Sequence, residues 1–562
     1  MTDSCRDTTG STTPTGRTRT TTATPSATGR ADSVIAPPRP GLGQSLAAAL
    51  APSPRGQAAP HQARQSAPGG GCLLGVDVGT TGSKAVAFTP DGRAVARGYA
   101  DYPLITGEDG RAEIDSTRVL AALRSCIRSA VAAAAAAGAG PVLAIATAAQ
   151  GEAFTPVDAR FRPLRHAMLT FDRRGRLGAE RLAAAGWGTR TEVTGLPLSW
   201  IVTAAKLAYL REAEPDLYRR TAYFLCYEDL LVAHLTGRPT TSDSLAQRTW
   251  LLDRHTKQWD PAALTDLDLT SRVAEVVPMG GSCGVITPHA AAEFGLPPAC
   301  RVIAGAHDQT AALTGAGAVL PGMAAHSTGT VDCLSLTLRD GEATPFTTRG
   351  YGVGLHPLPG LAVTLAFGFG GGSLLAWAKD VLGAKDVAAL LHDVPQGPGT
   401  AFAVPFWAGS GTPDLDAEDR GAFFGLTLDA SRGDLVAALL RGMALESRRN
   451  LQVLADLGVA VREARLVGGG TQDPVWNGIR ADVTGCSYNE MEVRDAGCLG
   501  AAILAAVGTG IYKDVVAACD AMVRIGRRYQ PNPEHHAAYT RMFPGYLAAV
   551  EGTRNARRGH AD

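Results

Sequence analysis

Two similar α/β halves are what this sequence predicts, on three observations. From Gly71 onward short apolar runs of strand length alternate with helical segments. A strand, a Gly/Thr-rich turn and a second strand occur after residue 72 and again around residue 328. At 562 residues the chain is too long for a single hydrophobic core.

Residues 1 to about 70 are rich in Thr, Ser, Pro, Gly and Arg, with hardly an aromatic residue and no sustained periodicity. Such a segment buries too little apolar surface to offset its chain entropy, so it is expected to be disordered. Arg6, Arg17, Arg19 and Arg30 would suit a targeting segment, yet no apolar signal-peptide core follows them. An extension without function, or a start assigned too far upstream, is the expectation.

The ordered part begins with a strand at Leu73–Val78 and a second at Lys84–Phe88, closed by the turn Pro90-Asp91-Gly92. Val119–Ala137 reads as a helix with Gly138 after it, and Pro141–Thr147 as an apolar strand. A helix near Trp200–Glu212 is expected to end at Pro215, and Arg301–Ala306 is again a strand. The second hairpin surrounds Ser327-Thr328-Gly329-Thr330, and Gly368–Ser373 is a glycine-rich turn opening a helix with Trp377. Leu435–Leu457 is a long amphipathic helix, and Arg465–Val467 is a strand running into Gly468-Gly469-Gly470-Thr471. The domains are expected at 71–315 and 316–515, with a C-terminal helical tail at 516–562.

Composition narrows the function. Apolar content of 45% and charged content of 19% describe an ordinary globular protein, and zero net charge gives no support for nucleic acid or an acidic membrane as partner. The ten cysteines are scattered singly, without Cys-x-x-Cys or metal spacing with His. That argues against structural zinc and a disulfide framework, and fits a reducing cytoplasm. The longest apolar stretch, Ala130–Ala137, is too short to cross a bilayer.

The octet Asp77-Val78-Gly79-Thr80-Thr81-Gly82-Ser83-Lys84 has the chemistry of a phosphate-binding hairpin. Its glycines let backbone N–H groups approach an anion, its hydroxyls donate to phosphate oxygens, and Lys84 adds a charge. Asp77 at the strand end can hold hydrated magnesium. No Walker-type run, protein-kinase set or Gly-x-Ser-x-Gly elbow is present, so phosphates must be held by hairpins and glycine loops.

Together the ordered motifs resemble the FGGY carbohydrate kinases of the actin/hexokinase-like ATPase superfamily. Asp77–Lys84 is followed by Gln150-Gly151-Glu152, Phe171-Asp172-Arg173-Arg174, Leu235-Thr236-Gly237 and Asp243-Ser244. Then come Gly305-Ala306-His307-Asp308-Gln309, Ser327–Thr330, Gly371-Gly372 before Trp377, Gly411-Thr412-Pro413, Gly468–Gly470, Trp476, Ala481-Asp482-Val483 and Gly500-Ala501-Ala502. The resemblance runs from about Leu73 to Tyr512. It implies two actin-like (ribonuclease H-like) domains with ATP in the cleft between them, and phosphorylation of a sugar or polyol.

Carried over residue by residue, Asp308 is the catalytic base; by itself it would also suit a helix N-cap. Thr80, Thr81, Lys84 and Thr330 are implied to hold the phosphates, with Asp77 on magnesium. Gly372, Gly469 and Gly470 would line the adenosine pocket, with Asp473 adding a polar contact. Gln150, Glu152, Gln309 and Asp172 are implied to contact the substrate, although Asp172 with Arg174 also suits a structural ion pair. A cytoplasmic enzyme follows, with a small-molecule substrate, no nucleic acid or membrane partner, and room for a homodimer.

Specificity is less determined. Glycerol kinases of the family show an arginine between that Gln and Glu, where this chain has Gly151, and an aromatic hydroxyl where it has Ser199-Trp200-Ile201. Gly151 is expected to open space beside Glu152, and Ile201 offers no hydroxyl, which favours a ketose, polyol or cyclitol larger than glycerol. The Met-His pair of xylulokinases is also missing. Trp200 suits a core position better than a sugar-stacking one. Glycerol kinase, an actin-like ATPase without a small-molecule substrate and a sugar-binding regulator stay open as alternatives.

Overall fold

A computed structural model describes residues 70–329, 331–341, 343–469 and 473–558. The expected disorder of the N-terminal segment falls on residues outside this range but for Gly70, as do Thr330 and Gly470.

The first sheet is built by β1 (Cys72–Val78), β2 (Gly82–Phe88), β3 (Ala94–Asp101), β4 (Val142–Ala149), β5 (Ser282–Val285) and β6 (Arg301–His307), in the order β5-β6-β4-β1-β2-β3. β1, β2 and β3 form an antiparallel meander, while β4 and β6 add in parallel to β1 and β5 closes the edge antiparallel. In the β1–β2 pairing Asp77 lies opposite Lys84, so both flank one tight turn. Between β3 and β4 the helix α1 (Ser116–Ala136) starts on Asp115, whose carboxylate accepts from Thr117 N. Val119, Leu123, Cys126, Ile127 and Ala130 of α1 pack on the sheet face carrying Leu74 and Val76. Its 21 residues are long and apolar enough for a membrane span, but this packing makes it a core helix.

This half adds α2 (Thr203–Ala213), α3 (Tyr227–Thr236) and α4 (Asp243–Arg248) before β5. α2 ends at Ala213, with Glu214 non-helical just before Pro215 as expected. Pro215 also opens a separate helix, Pro215–Arg220, at its first turn, where the missing N–H costs nothing. After β6 the chain enters α5 (Asp308–Gly315) at once.

The second sheet repeats the plan with β7 (Met323–Thr328), β8 (Asp332–Arg339), β9 (Val353–Leu355) and β10 (Leu361–Gly368). The helices α6 (Gly372–Val381) and α7 (Arg432–Asp456) follow, then β11 (Glu463–Val467), α8 (Pro474–Thr484), β12 (Ser487–Met491), α9 (Ala496–Gly508) and β13 (Ile525–Tyr529). The order is β9-β10-β8-β7-β11-β12-β13, again a meander followed by parallel strands and an antiparallel edge.

The C-terminal segment is more than the helical tail expected at 516–562. Ile525–Tyr529 completes the second sheet, and Tyr539 and Tyr546 of the last helix, α10 (Pro533–Arg558), are buried in the core around α7. An edge strand reading Ile-Gly-Arg-Arg-Tyr carries no apolar run, which is why composition hides it.

Although it follows the second sheet's strands in sequence, α9 covers the other face of the first sheet. Cys498, Leu499, Ile503 and Leu504 pack with Leu73, Val86, Ala144 and Ile303. α5 crosses α9 so closely that a Cβ on Gly500 would lie 1.8 Å from the Ala311 carbonyl oxygen, and one on Gly315 1.9 Å from that of Ala496. Only glycine permits this approach, which accounts for the Gly-Ala-Ala run read in the sequence.

Candidate active site

The β1–β2 turn is fixed from below. Tyr102 Oη donates to Gly79 O at 2.7 Å, Gln150 Nε2 donates to the same carbonyl at 3.2 Å, and Gly79 N donates to Gly82 O at 3.1 Å. Thr80 is half-buried and Thr81 exposed at the tip. Asp77 sits against the first turn of α9: a Cβ on Gly497 would be 3.3 Å from its Oδ2. Burial raises its pKa and Lys84 opposes the rise. The Lys84 side chain is 42% exposed, with Nζ 3.7 Å from Asp495, which also pairs with Arg97.

Asp308 is the first residue of α5, at the C-terminal end of a parallel strand. His307 holds the N-cap position, and no side-chain capping bond is made there, so Asp308 does not cap the helix. His307 Nε2 lies 3.1 Å from Asp308 Oδ1. The carboxylate is reached by solvent from one side, 32% exposed. Its pKa is raised to about 7, first by burial and then by the charges of Asp77 and Glu152. A carboxylate that takes a proton near neutral pH is suited to general-base work. Its charge also acts on the buried Cys333 thiol in β8, next to Asp332.

Glu152 adopts φ = 61°, a conformation that costs a non-glycine residue on the order of 1–2 kcal/mol. Arg248, the last residue of α4, holds it there: Nε donates to Glu152 Oε1 at 2.5 Å, and Thr170 Oγ1 donates to Oε2 at 3.1 Å. The side chain is only 3% exposed. Gln150 and Gln309 each bury an amide Oε1 without a hydrogen-bond partner.

Two expectations change here. Asp172 does not offer its carboxylate to a substrate: it is fully buried, accepting from Arg174 Nε at 2.9 Å and from Ala112 N at 3.2 Å, while Arg174 also binds Glu113. It clamps the 170–174 loop, the structural alternative its neighbour Arg174 allowed. Gly151 does not open space either: a Cβ there would lie 2.7 Å from His307 Cδ2 and 3.2 Å from Arg248 Cγ, so side chains from β6 and α4 already fill it. Neither contact could be read from sequence, because both cross from distant segments. Trp200 is half-buried with Arg176 stacked 5.8 Å from its ring.

The second hairpin has its own support. His326 Nε2 and Asp332 Oδ2 are 2.8 Å apart, Thr328 Oγ1 donates to Asp332 at 3.0 Å, and Arg480 donates to Thr328 Oγ1 at 2.5 Å. The Arg480 guanidinium lies 3.9 Å from the Trp476 ring centroid. Asp332 is held down to about 2 by His326 and Arg480 in spite of its burial. Gly372, at the start of α6, donates its N–H to Gly329 O at 2.7 Å, which brings the glycine turn onto the hairpin. Gly469 is exposed, with open space where a Cβ would stand, and Asp473 accepts from Trp476 N at 2.8 Å as the N-cap of α8. Neither Arg480 nor Arg248 carries a local sequence signal, and His307 stands within Gly305–Gln309 without a role that local pattern reveals.

The profile for the "FGGY family of carbohydrate kinases, N-terminal domain" matches residues 72–315, and that for the C-terminal domain matches 324–509. The chain belongs to the FGGY family of carbohydrate kinases. It is 30% identical over 502 residues to a glycerol kinase of Ectopseudomonas mendocina, covering 86% of this chain and 99% of the relative. An autoinducer-2 kinase of Yersinia enterocolitica is 29% identical over 492 residues, covering 84% and 92%. Among solved structures, a xyloylose kinase from Brucella ovis superposes with a TM-score of 0.79 at 26% identity, covering 86% of this chain and all of the other. As an FGGY kinase the protein is an ATP-binding phosphotransferase with the two-domain actin-like fold, acting on a sugar or polyol.

Proposed function

We propose that the protein transfers the γ-phosphoryl group of ATP to a primary hydroxyl of a sugar or polyol larger than glycerol, with Asp308 as the general base. The observation that carries this is the setting of Asp308: solvent-reachable, at the end of β6, with its proton affinity tuned to about 7 between Asp77 and Glu152. Asp308 accepts the proton of the acceptor hydroxyl as its oxygen attacks the γ-phosphorus, and ADP leaves. Thr80, Thr81 and Lys84 from the first hairpin and Thr330 from the second hold the phosphates, while Gly372, Gly469, Gly470 and Asp473 border the adenosine. Phosphoryl transfer asks chiefly for such positioning and charge neutralisation.

Among the described residues no three His, Cys, Asp or Glu side chains are grouped to hold a metal. A single carboxylate, Asp77, fits magnesium, which is usually held by one or two carboxylates together with substrate phosphates and water. When bound it would neutralise phosphate charge. Asp77 and Lys84, facing each other across the turn, keep the phosphates placed.

The unpartnered Oε1 atoms of Gln150 and Gln309 are acceptors suited to substrate hydroxyls, since a buried acceptor left unpaired costs about 1–3 kcal/mol. With the space beside Gly151 filled, the size preference now rests on Ile201, which brings no hydroxyl to a small triol. The test is ATP turnover with glycerol, tetritols, pentuloses, hexuloses and cyclitols. A larger acceptor should give the highest kcat/KM. Glycerol as the best acceptor would overturn the size reading, and no acceptor-dependent turnover with any would overturn the reaction.

A further inference from the structure

His307 and Gly151 face each other across the acceptor side of the site, and their geometry is coupled. The imidazole is buried, its backbone N–H donates to Ser244 Oγ at 3.2 Å, and its Nε2 is 3.1 Å from Asp308 Oδ1. Burial, aided by the Arg248 charge, keeps the ring neutral. The ring N–H is not aligned on the carboxylate in this structure, but a small turn of either side chain would let a neutral ring protonated on Nε2 donate to Oδ1, leaving Oδ2 for an incoming hydroxyl. A Cβ on residue 151 would sit 2.7 Å from His307 Cδ2 and 3.0 Å from Nε2 itself. Any side chain there therefore presses on the ring nitrogen that lies nearest Asp308. Arg248 Cγ lies 3.2 Å from the same added Cβ while its guanidinium is tied to Glu152, so the Cβ is pressed by a second side chain besides the ring.

We propose that His307 is the positioning residue for Asp308 and that Gly151 and His307 act as one steric unit, the imidazole forming the pocket wall that glycine makes possible. The positioning role rests on Asp308 being the base; the steric coupling does not. Residue 151 then affects catalysis through the imidazole as well as through direct substrate contact, and the two positions cannot be exchanged independently.

The test has two arms. In the kinetic arm, His307→Gln keeps an amide N–H near the place of Nε2, whereas His307→Asn is too short to reach Asp308 and His307→Phe fills the volume without a donor. Asn and Phe variants that melt like the parent should lose about thirtyfold or more in kcat with KM for ATP within about twofold, and Gln should recover most of the loss. Either variant working within about threefold of the parent, or Gln no better than Asn, overturns the positioning role. In the melting arm, Gly151→Ala should lower Tm clearly in the parent and little in His307→Ala. Equal drops in both backgrounds overturn the steric unit. A parent without acceptor-dependent turnover would remove the base assignment and the positioning role with it, and the melting cycle would still decide the coupling.

Discussion

The Asp308 carboxylate, raised to about 7 by burial and by the charges of Asp77 and Glu152, is the proposed base, and two expectations follow from it at the scale of one residue. Asp308→Asn keeps the shape and removes the base, so acceptor-dependent kcat should fall about a hundredfold or more while ATP still binds. Turnover within tenfold of the parent would show that another group takes the proton. In the parent, kcat/KM should fall about tenfold per pH unit below about 7, where Asp308 is protonated. Stability responds with the opposite sign. A carboxylate whose folded pKa lies above its unfolded one near 3.8 holds its proton longer in the native state, so its contribution is lost as pH rises from about 4 to about 7. Asp308→Asn should therefore raise Tm at pH 8 by on the order of 2 °C and change it little at pH 4. A larger gain at pH 4 than at pH 8 would contradict the assigned environment.

At the scale of elements, the proposed reaction depends on two helix starts, α5 at Asp308 and α6 at Gly372, and on what pins each. For α5 the constraint is its contact with α9 through Gly315 and Gly500. Gly500→Val would drive a side chain into the Ala311 carbonyl, 1.8 Å from the added Cβ, and backbone cannot yield as a flexible side chain can. A drop in Tm of about 5 °C or more is expected, with a parallel loss of turnover because α5 carries the base. A variant melting within 2 °C of the parent would mean that the helices separate at little cost. For the second hairpin, Arg480→Met removes the donor to Thr328 and the cation beside Asp332, leaving a buried carboxylate short of a partner. KM for ATP should rise about tenfold, and an unchanged KM would detach that network from nucleotide binding.

The two halves are not independent folding units, because α9 crosses back to cover the first sheet. Leu499, Ile503 and Leu504 shield Leu73, Val86 and Ile303. A fragment of residues 70–320 should expose that face, bind a hydrophobic dye and associate, whereas the chain of residues 70–558 should not. A monomeric, cooperatively melting 70–320 fragment would refute this. The same crossing ties α9, with Asp495 before it and Gly497 against Asp77, to the first phosphate hairpin.

The sequence by itself determined the alternation of strands and helices, the duplicated hairpins and the strand-to-helix junction at Asp308, because each is local: apolar period, turn chemistry and glycine placement act over a few residues. It missed the strand Ile525–Tyr529, whose charged edge has no apolar period, and the start of a helix at Pro215, where proline is favoured as readily as at a stop. Only the tertiary structure decided that Asp172 is taken up by Arg174 and the Ala112 N–H, that His307 and Arg248 fill the room beside Gly151, and that Arg480 braces the second hairpin. The Asp172–Arg174 pair is local and was open from the sequence, its burial being what the fold decided, whereas the others join residues far apart in the chain. Such a partner across a packed core depends on how strands register and helices cross, which no local pattern encodes.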